Sequence, residues 1–173
     1  NQTNVEILQA ETSPAAYRLW YKGNTGSQYF LVENRQKTGY DHYLPGEGLL
    51  IYHCDDAVST HGNDSAWCPG QSGTYHYRAA LEQADGFFSL EGCNGLNEGD
   101  GGDPYPGIYD VRAFDDTTRP NSHFYADSST MVAVWNISDS DSSMRANMDV
   151  TWSRPNLHMM SFTISDSPPG GTG

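Results

Sequence analysis

Positively charged side chains are scarce in this sequence. Its 173 residues include 9 Lys and Arg against 22 Asp and Glu, which gives a formal net charge of -13 and a pI of about 4.5. A nucleic-acid-binding surface needs clustered Lys and Arg to neutralise phosphates, and attraction to an anionic membrane needs the same charges. We therefore expect no nucleic acid partner and no binding to anionic lipid.

Long apolar segments, helical periodicity and catalytic signatures are also missing from the sequence. No apolar run approaches the roughly 20 residues that a helix needs to cross a bilayer, so we expect no membrane insertion. No segment has a convincing helical period over more than about two turns. The chain contains no HExxH zinc motif, no Gly-x-Ser-x-Gly elbow, no Walker loop and no dinucleotide fingerprint. We therefore expect that this chain is not itself an enzyme.

Cysteine is rare and odd in number. Cys54 and Cys68 bracket a loop rich in Gly, Asp and Ser and are candidates to pair, while Cys93 is an equal candidate partner for either. Their spacing does not match a zinc site. One disulfide with one thiol left over is the expectation, and a disulfide is typical of a secreted, extracellular protein.

What the sequence does contain is a series of strand signals. Tyr17–Tyr21 and Tyr29–Asn34 flank the turn-rich segment Gly23–Gly26, which predicts a hairpin. Apolar and polar residues alternate cleanly from Met144 to Trp152, the pattern of a half-buried strand. Further strands are predicted at Gly48–His53, Tyr77–Glu82, Met131–Ile137 and Leu157–Ile164.

These signals predict an all-β fold, an antiparallel β-sandwich or jelly-roll-like domain with long loops rich in Gly and Asp. We expect a single β-domain over residues 1–165. The remaining segment, 166–173, is rich in Pro and Gly and has the composition of a linker.

The longest informative segment is the acidic loop Asn94–Gly107, in which glycines separate amide and carboxylate side chains. Carboxylates this close repel one another unless a cation lies among them, and hard oxygen ligands favour calcium over zinc. A calcium ion takes six to eight oxygens, so donors from the preceding segment are expected to contribute. The candidate ligands are Glu82, Asp85, Glu91, Asn97, Asp100 and Asp103.

Two other sets of residues carry alternative chemistry. His53, Asp55 and His76 form a candidate polar cluster that would suit zinc or acid–base chemistry, although buried histidines more often serve structure. Trp67, Tyr75 and Tyr105 are candidates for a ring-stacking surface that would bind sugars, although core packing is the commoner role of such residues.

Several blocks in a fixed order resemble one protein family. They are Tyr29–Gln36, Gly39–Asp41, Leu44–His53 with Asp55, His76, Leu81–Gly86, Gly99–Gly107 and Pro120–Ser122. This order is similar to the region downstream of the active site in secreted zinc metallopeptidases of the immune inhibitor A type, over about residues 5–152.

The resemblance implies a β-domain without a hydrolytic centre of its own, because the family's HExxH helix and further zinc ligand lie upstream of the matched region. It also implies a structural or calcium-binding role for the Gly99–Gly107 motif, with Asp85, Asp100 and Asp103 as the matching positions. His53, Asp55 and His76 match family positions without an assigned role.

Together these features predict a secreted, calcium-stabilised accessory domain that braces a metallopeptidase-like enzyme or attaches it to a target. Its partners would be other domains of the same protein, or a polysaccharide or cell-surface ligand. One alternative is a carbohydrate-binding module of a secreted multidomain enzyme. The other is an extracellular structural or self-assembling domain.

Overall fold

A computed structural model describes residues 1–59, 76–92 and 98–152 of the chain. These residues form eight strands, and two short 3₁₀ turns interrupt the connections at Tyr21–Gly23 and Gly39–Tyr43. The strands are β1 (Gln2–Leu8), β2 (Tyr17–Leu19), β3 (Gln28–Arg35), β4 (Gly48–Asp55), β5 (Ala79–Leu81), β6 (Ala113–Phe114), β7 (Ala133–Trp135) and β8 (Ser143–Asp149).

The strands divide between two antiparallel sheets of four. One sheet has the order β1-β8-β7-β6, and the other has the order β2-β3-β4-β5. The first and last strands of the described chain therefore pair with each other, whereas β2 to β5 form a meander. The predicted all-β antiparallel sandwich is confirmed, while its jelly-roll variant stays a prediction.

One buried core lies between the two sheets. Phe30 and Val32 of β3 and Leu49 and Ile51 of β4 contribute from one sheet, and all four side chains are at most 1% exposed. Phe114, Val134, Met144, Ala146 and Met148 contribute from the other sheet. The alternation predicted from Met144 to Trp152 is confirmed as far as Met148, because Met144, Ala146 and Met148 are buried while Arg145 is exposed, but Asp149 is also buried and the strand ends there.

The remaining strand predictions differ from the structure in detail. The hairpin of β2 and β3 is confirmed, with Tyr17 opposite Val32 and Leu19 opposite Phe30. Strands β5 and β7 are shorter than the sequence pattern predicts, and β1 and β6 were not predicted at all. The predicted strand Leu157–Ile164 and the linker 166–173 lie outside the described residues. Within the described ranges, no helix is long and apolar enough to cross a membrane.

Candidate metal centre

Three aspartates from two separate segments meet at one end of the meander sheet. Asp85 follows β5, and Asp100 and Asp103 belong to the loop that precedes β6. One carboxylate oxygen from each lies within 4.8 Å of the others. Among the residues that the structure describes, this is the one group of three or more His, Cys, Asp and Glu side chains placed to share a metal ion.

Backbone hydrogen bonds dock the acidic loop onto the sheet. Leu49 of β4 and Tyr105 exchange two such bonds, of 2.8 and 2.9 Å, so the loop continues the sheet for one residue pair. Ala84 N–H donates to Asp103 O at 2.8 Å, and Asp85 N–H donates to Gly102 O at 3.1 Å. These contacts hold the two acidic segments side by side whatever lies between their carboxylates.

One oxygen of each carboxylate accepts a backbone hydrogen bond. Asp85 Oδ1 accepts from Phe87 N–H at 2.9 Å, Asp100 Oδ1 accepts from Gly102 N–H at 2.7 Å, and Asp103 Oδ2 accepts from Asp100 N–H at 2.6 Å. Each carboxylate is therefore oriented by a backbone N–H of its own segment, which is the pre-organisation that a selective ion site needs.

The other oxygens of two of these aspartates are buried without compensation. Asp103 is 3% exposed, and its Oδ1 atom, like Oδ2 of Asp85, has no hydrogen-bond donor among the described residues. Burial raises the pKa of Asp103 above its ordinary value despite the hydrogen bond from Asp100 N–H, and the charges of Asp100 and Asp85 raise it further. A buried carboxylate without a partner is costly, and a bound cation is one way to compensate it.

The chemistry of this donor set fits calcium. All the ligand atoms are hard carboxylate oxygens, with neither imidazole nor thiolate in the cluster. Gly102 keeps the space clear, because an added Cβ would lie 3.0 Å from both Asp100 Oδ1 and Asp85 Oδ2 and 2.9 Å from the Tyr109 ring. Asp85, Asp100 and Asp103 would hold the ion.

The other predicted ligands are placed differently. Glu82 lies beside His53, with 3.3 Å between Oε1 and Nδ1, and Glu91 accepts a short hydrogen bond from the amide of Gln83. Burial raises the pKa of Glu91 above its ordinary value, and the nearby charges of Glu82 and Asp103 add to this effect. Neither glutamate belongs to the aspartate cluster. Asn97 lies outside the described residues.

The second predicted cluster is a buried stack of rings. Tyr125 stacks on both His53 and His76, with ring centroids 4.0 and 3.6 Å apart. Asp55 Oδ2 lies 2.9 Å from Nε2 of His76, and each of these two side chains is nearly buried. The sequence brings His53, Asp55 and His76 into one region as predicted, but not as a metal-ligand group within the described part of the chain.

Sequence reasoning missed Tyr125, and no local signal could have found it. This tyrosine lies in the long connection between β6 and β7, far from β4 in the chain, and only the packing of the two sheets brings it to the histidines. Its backbone N–H donates to Gln28 Oε1 at 3.1 Å, which fixes the connection against β3. The stack therefore fastens an irregular segment to the sheet.

The predicted ring-stacking surface needs correction. Tyr105 is 0% exposed and belongs to the hydrophobic core, because its backbone pairing with Leu49 turns the side chain inward. It cannot serve as an exposed platform. Trp67 and Tyr75 lie outside the described residues. Cys54 is a buried free cysteine, and its candidate partners Cys68 and Cys93 also lie outside the described part.

The fold and the site define an antiparallel β-sandwich with a partly buried aspartate cluster, which a glycine-rich loop and the segment after β5 form together. No protein-family model matches the sequence, and a search of curated proteins finds no match either.

Proposed function

We propose that this chain is a non-catalytic, calcium-stabilised accessory domain of a secreted metallopeptidase-like protein. The observation that carries the calcium part is the carboxylate of Asp103, which is buried beside Asp85 and Asp100 with one oxygen lacking a donor among the described residues. Three negative charges held this close favour a bound divalent cation over a solvated surface loop.

The role of the ion would be to link two segments that the sequence keeps apart. Bound calcium supplies positive charge and several coordination bonds to oxygen. Asp85 extends from the end of β5, while Asp100 and Asp103 extend from the loop before β6, so all three together hold the loop on the sheet. Because the unfolded chain does not preserve this arrangement, ion binding stabilises the folded state by mass action.

Titration calorimetry on chelator-treated protein tests the calcium proposal. The expected result is one calcium ion per chain, with weaker binding of magnesium, which demands a tighter and more regular shell of ligands. Asp141→Asn, which alters an exposed aspartate outside the cluster, serves as a control and should bind calcium like the unaltered chain. No heat of calcium binding, or zinc bound far more tightly than calcium, would count against the proposal.

The accessory role is supported by the resemblance in sequence and by the lack of HExxH and the other catalytic motifs in this chain. The proposal predicts that the complete gene product carries an HExxH segment upstream of these residues. It also predicts that the isolated chain does not hydrolyse casein, whether loaded with calcium or zinc. Peptidase activity of the isolated chain, abolished by His53→Ala, would contradict the non-catalytic role.

A further inference from the structure

A concavity lined by none of the three clustered aspartates borders the acidic loop at Gly101, Pro106 and Gly107. It is a cleft of about 420 Å³. One wall comes from the segment between Lys37 and Glu47, the other from the segment between Gly101 and Arg112, and Asp139 and Ser140 close one end. Its volume is within the range of clefts that bind small molecules, roughly 300–1,000 Å³.

The polar rim of this cleft is an exposed group of one arginine and two aspartates. Arg112 Nη2 lies 2.6 Å from Asp110 Oδ1 and 2.5 Å from Asp139 Oδ1, and its Nη1 donates to Ile137 O at 2.8 Å. A guanidinium that pairs with two carboxylates in this way sets N–H donors beside carboxylate acceptors. Such pairs suit the adjacent hydroxyl groups of a sugar ring, each of which both donates and accepts.

Two contacts involve the opposite wall of the cleft, the segment between Lys37 and Glu47. Glu47 Oε2 accepts a hydrogen bond from Lys37 N–H at 3.1 Å, which closes the base of the turn. Within this turn, Asp41 Oδ2 lies 2.7 Å from Arg35 Nη1. These two contacts tie the segment to itself and to the end of β3.

Apolar surface accompanies the polar rim. Ile108, which lines the cleft, is 71% exposed, and Pro45 and Pro106 line it as well. Tyr40 and Tyr43, on the turn between the lining residues Lys37 and Pro45, are almost fully exposed. Neither tyrosine lines the cleft, but exposed tyrosines beside it offer large contact area at low entropic cost. Apolar area of this kind suits the C–H face of a sugar ring.

The charges of the lining decide the kind of ligand. Lys37 and Arg112 contribute two positive charges, against three negative charges from Glu47, Asp110 and Asp139. Arg112 offsets only one of the two aspartate charges, so the lining as a whole carries a net charge of -1. A chain with a net charge of -13 repels anionic ligands.

We propose that this cleft binds a neutral carbohydrate, whose hydroxyl groups hydrogen-bond to the Asp110–Arg112–Asp139 rim while its apolar face lies on Ile108. This site is separate from the aspartate cluster, and none of the cleft residues named here is a proposed calcium ligand.

A glycan microarray that carries neutral, sialylated and sulfated glycans tests this proposal, with the chain kept in excess calcium. We expect binding to one group of neutral glycans and none to the sialylated or sulfated ones. The best neutral glycan is then titrated against variants. Asp139→Ala and Ile108→Ala should each weaken binding by about tenfold or more, whereas Tyr21→Ala, outside the cleft, should bind normally.

Binding to no glycan, binding confined to anionic glycans, or unchanged affinity in both cleft variants would each overturn the proposal. Thermal unfolding of every variant shows whether it is folded. If Ile108→Ala is not folded, Ile108→Ser takes its place. The outcome is distinguishable from that of the calcium proposal. A chain that binds glycans but no calcium refutes the ion site alone, and a chain that binds calcium but no glycan refutes the cleft alone.

Discussion

At the scale of single residues, Asp103 is the side chain on which the proposed ion site depends most. Asp103→Asn removes one negative charge from the cluster and replaces a carboxylate with a neutral amide, while it preserves the volume of the side chain. We expect the variant to lose the calcium-induced stabilisation, and in chelator to unfold at the same temperature as the unaltered chain or higher, because one buried like charge is gone. Thermal unfolding of both proteins, with calcium and with chelator, measures this. A full calcium response in the variant would refute the assignment of Asp103.

Two adjacent glycines, Gly101 and Gly102, provide a matched pair of variants that test whether the space beside Gly102 is needed for calcium binding. Gly102→Ala should abolish or greatly weaken calcium binding, because its Cβ would lie 3.0 Å from oxygens of Asp85 and Asp100. Gly101→Ala should bind calcium almost normally, because its Cβ would meet only Ile108 Cγ2, at 3.1 Å, on a largely exposed side chain. Calorimetric titration of both variants makes the comparison. Equal affinities would show that Gly102 does not border the ion.

At the scale of elements, the junction between the acidic loop and β4 depends on Tyr105. Its ring is fully buried, and its hydroxyl has no hydrogen-bond partner among the described residues. Tyr105→Phe should therefore leave the free energy of unfolding unchanged or slightly raised, while Tyr105→Ala should lower it by about 3–5 kcal/mol through a large cavity. Urea unfolding measures both. A clear loss of stability in Tyr105→Phe would show that the Tyr105 hydroxyl makes a stabilising contact, which would contradict its role as a purely apolar core residue.

The contact between Asp55 and His76 joins β4 to the segment before β5 and gives stability a pH dependence. Burial alone would raise the pKa of Asp55, but hydrogen bonds from Ala57 N–H and from His76 hold it below its ordinary value of 3.8. Because the folded-state pKa is the lower one, this contribution is present above about pH 3.8 and is lost as the pH falls further.

Asp55→Asn should therefore be less stable than the unaltered chain at neutral pH and lose less stability on acidification. Urea unfolding between about pH 6 and pH 2 measures the slope that this linkage predicts. Part of the slope will remain, since the pKa of Asp149 is also held below its ordinary value. Asp56→Asn, at an exposed neighbouring position, is the control. The same slope in the two variants would contradict the role of Asp55.

The sequence predicted those elements whose side chains follow a local rule. The hairpin of β2 and β3 and the alternation of β8 could be predicted because each strand has one buried face. Strand β1 could not, since most of its residues are exposed and its pairing with β8 joins distant parts of the chain. Tyr105 was misassigned because a backbone pairing with Leu49, invisible in the pattern, turns it into the core.

The candidate site was predicted in part, for a similar reason. Asp100 and Asp103 are close in sequence and share one glycine-rich loop, so their meeting is a local property. Asp85 joins them through backbone bonds of its segment to Gly102 and Asp103. Glu82, only three residues earlier, contacts His53 instead. Proximity in sequence could not distinguish these two outcomes, because strand geometry decides which side chain reaches which neighbour.

At the scale of the whole molecule, the cluster adds to a charge that is already unfavourable. A net charge of -13 destabilises a compact fold by self-repulsion, and the aspartate cluster concentrates part of that charge beside the core. A bound divalent cation would relieve both the local and the overall repulsion. The account therefore predicts that calcium stabilises the entire domain and not the acidic loop alone.

The most direct test of this central claim is the midpoint of thermal unfolding as a function of free calcium. If calcium binds the folded chain only, a free concentration 100 times the dissociation constant adds about 2.7 kcal/mol to stability. For a chain of this length that corresponds to a rise of about 5–10 °C. The account predicts this rise relative to the chelated protein, continuing with the logarithm of the calcium concentration. An identical midpoint in chelator and in saturating calcium would contradict it.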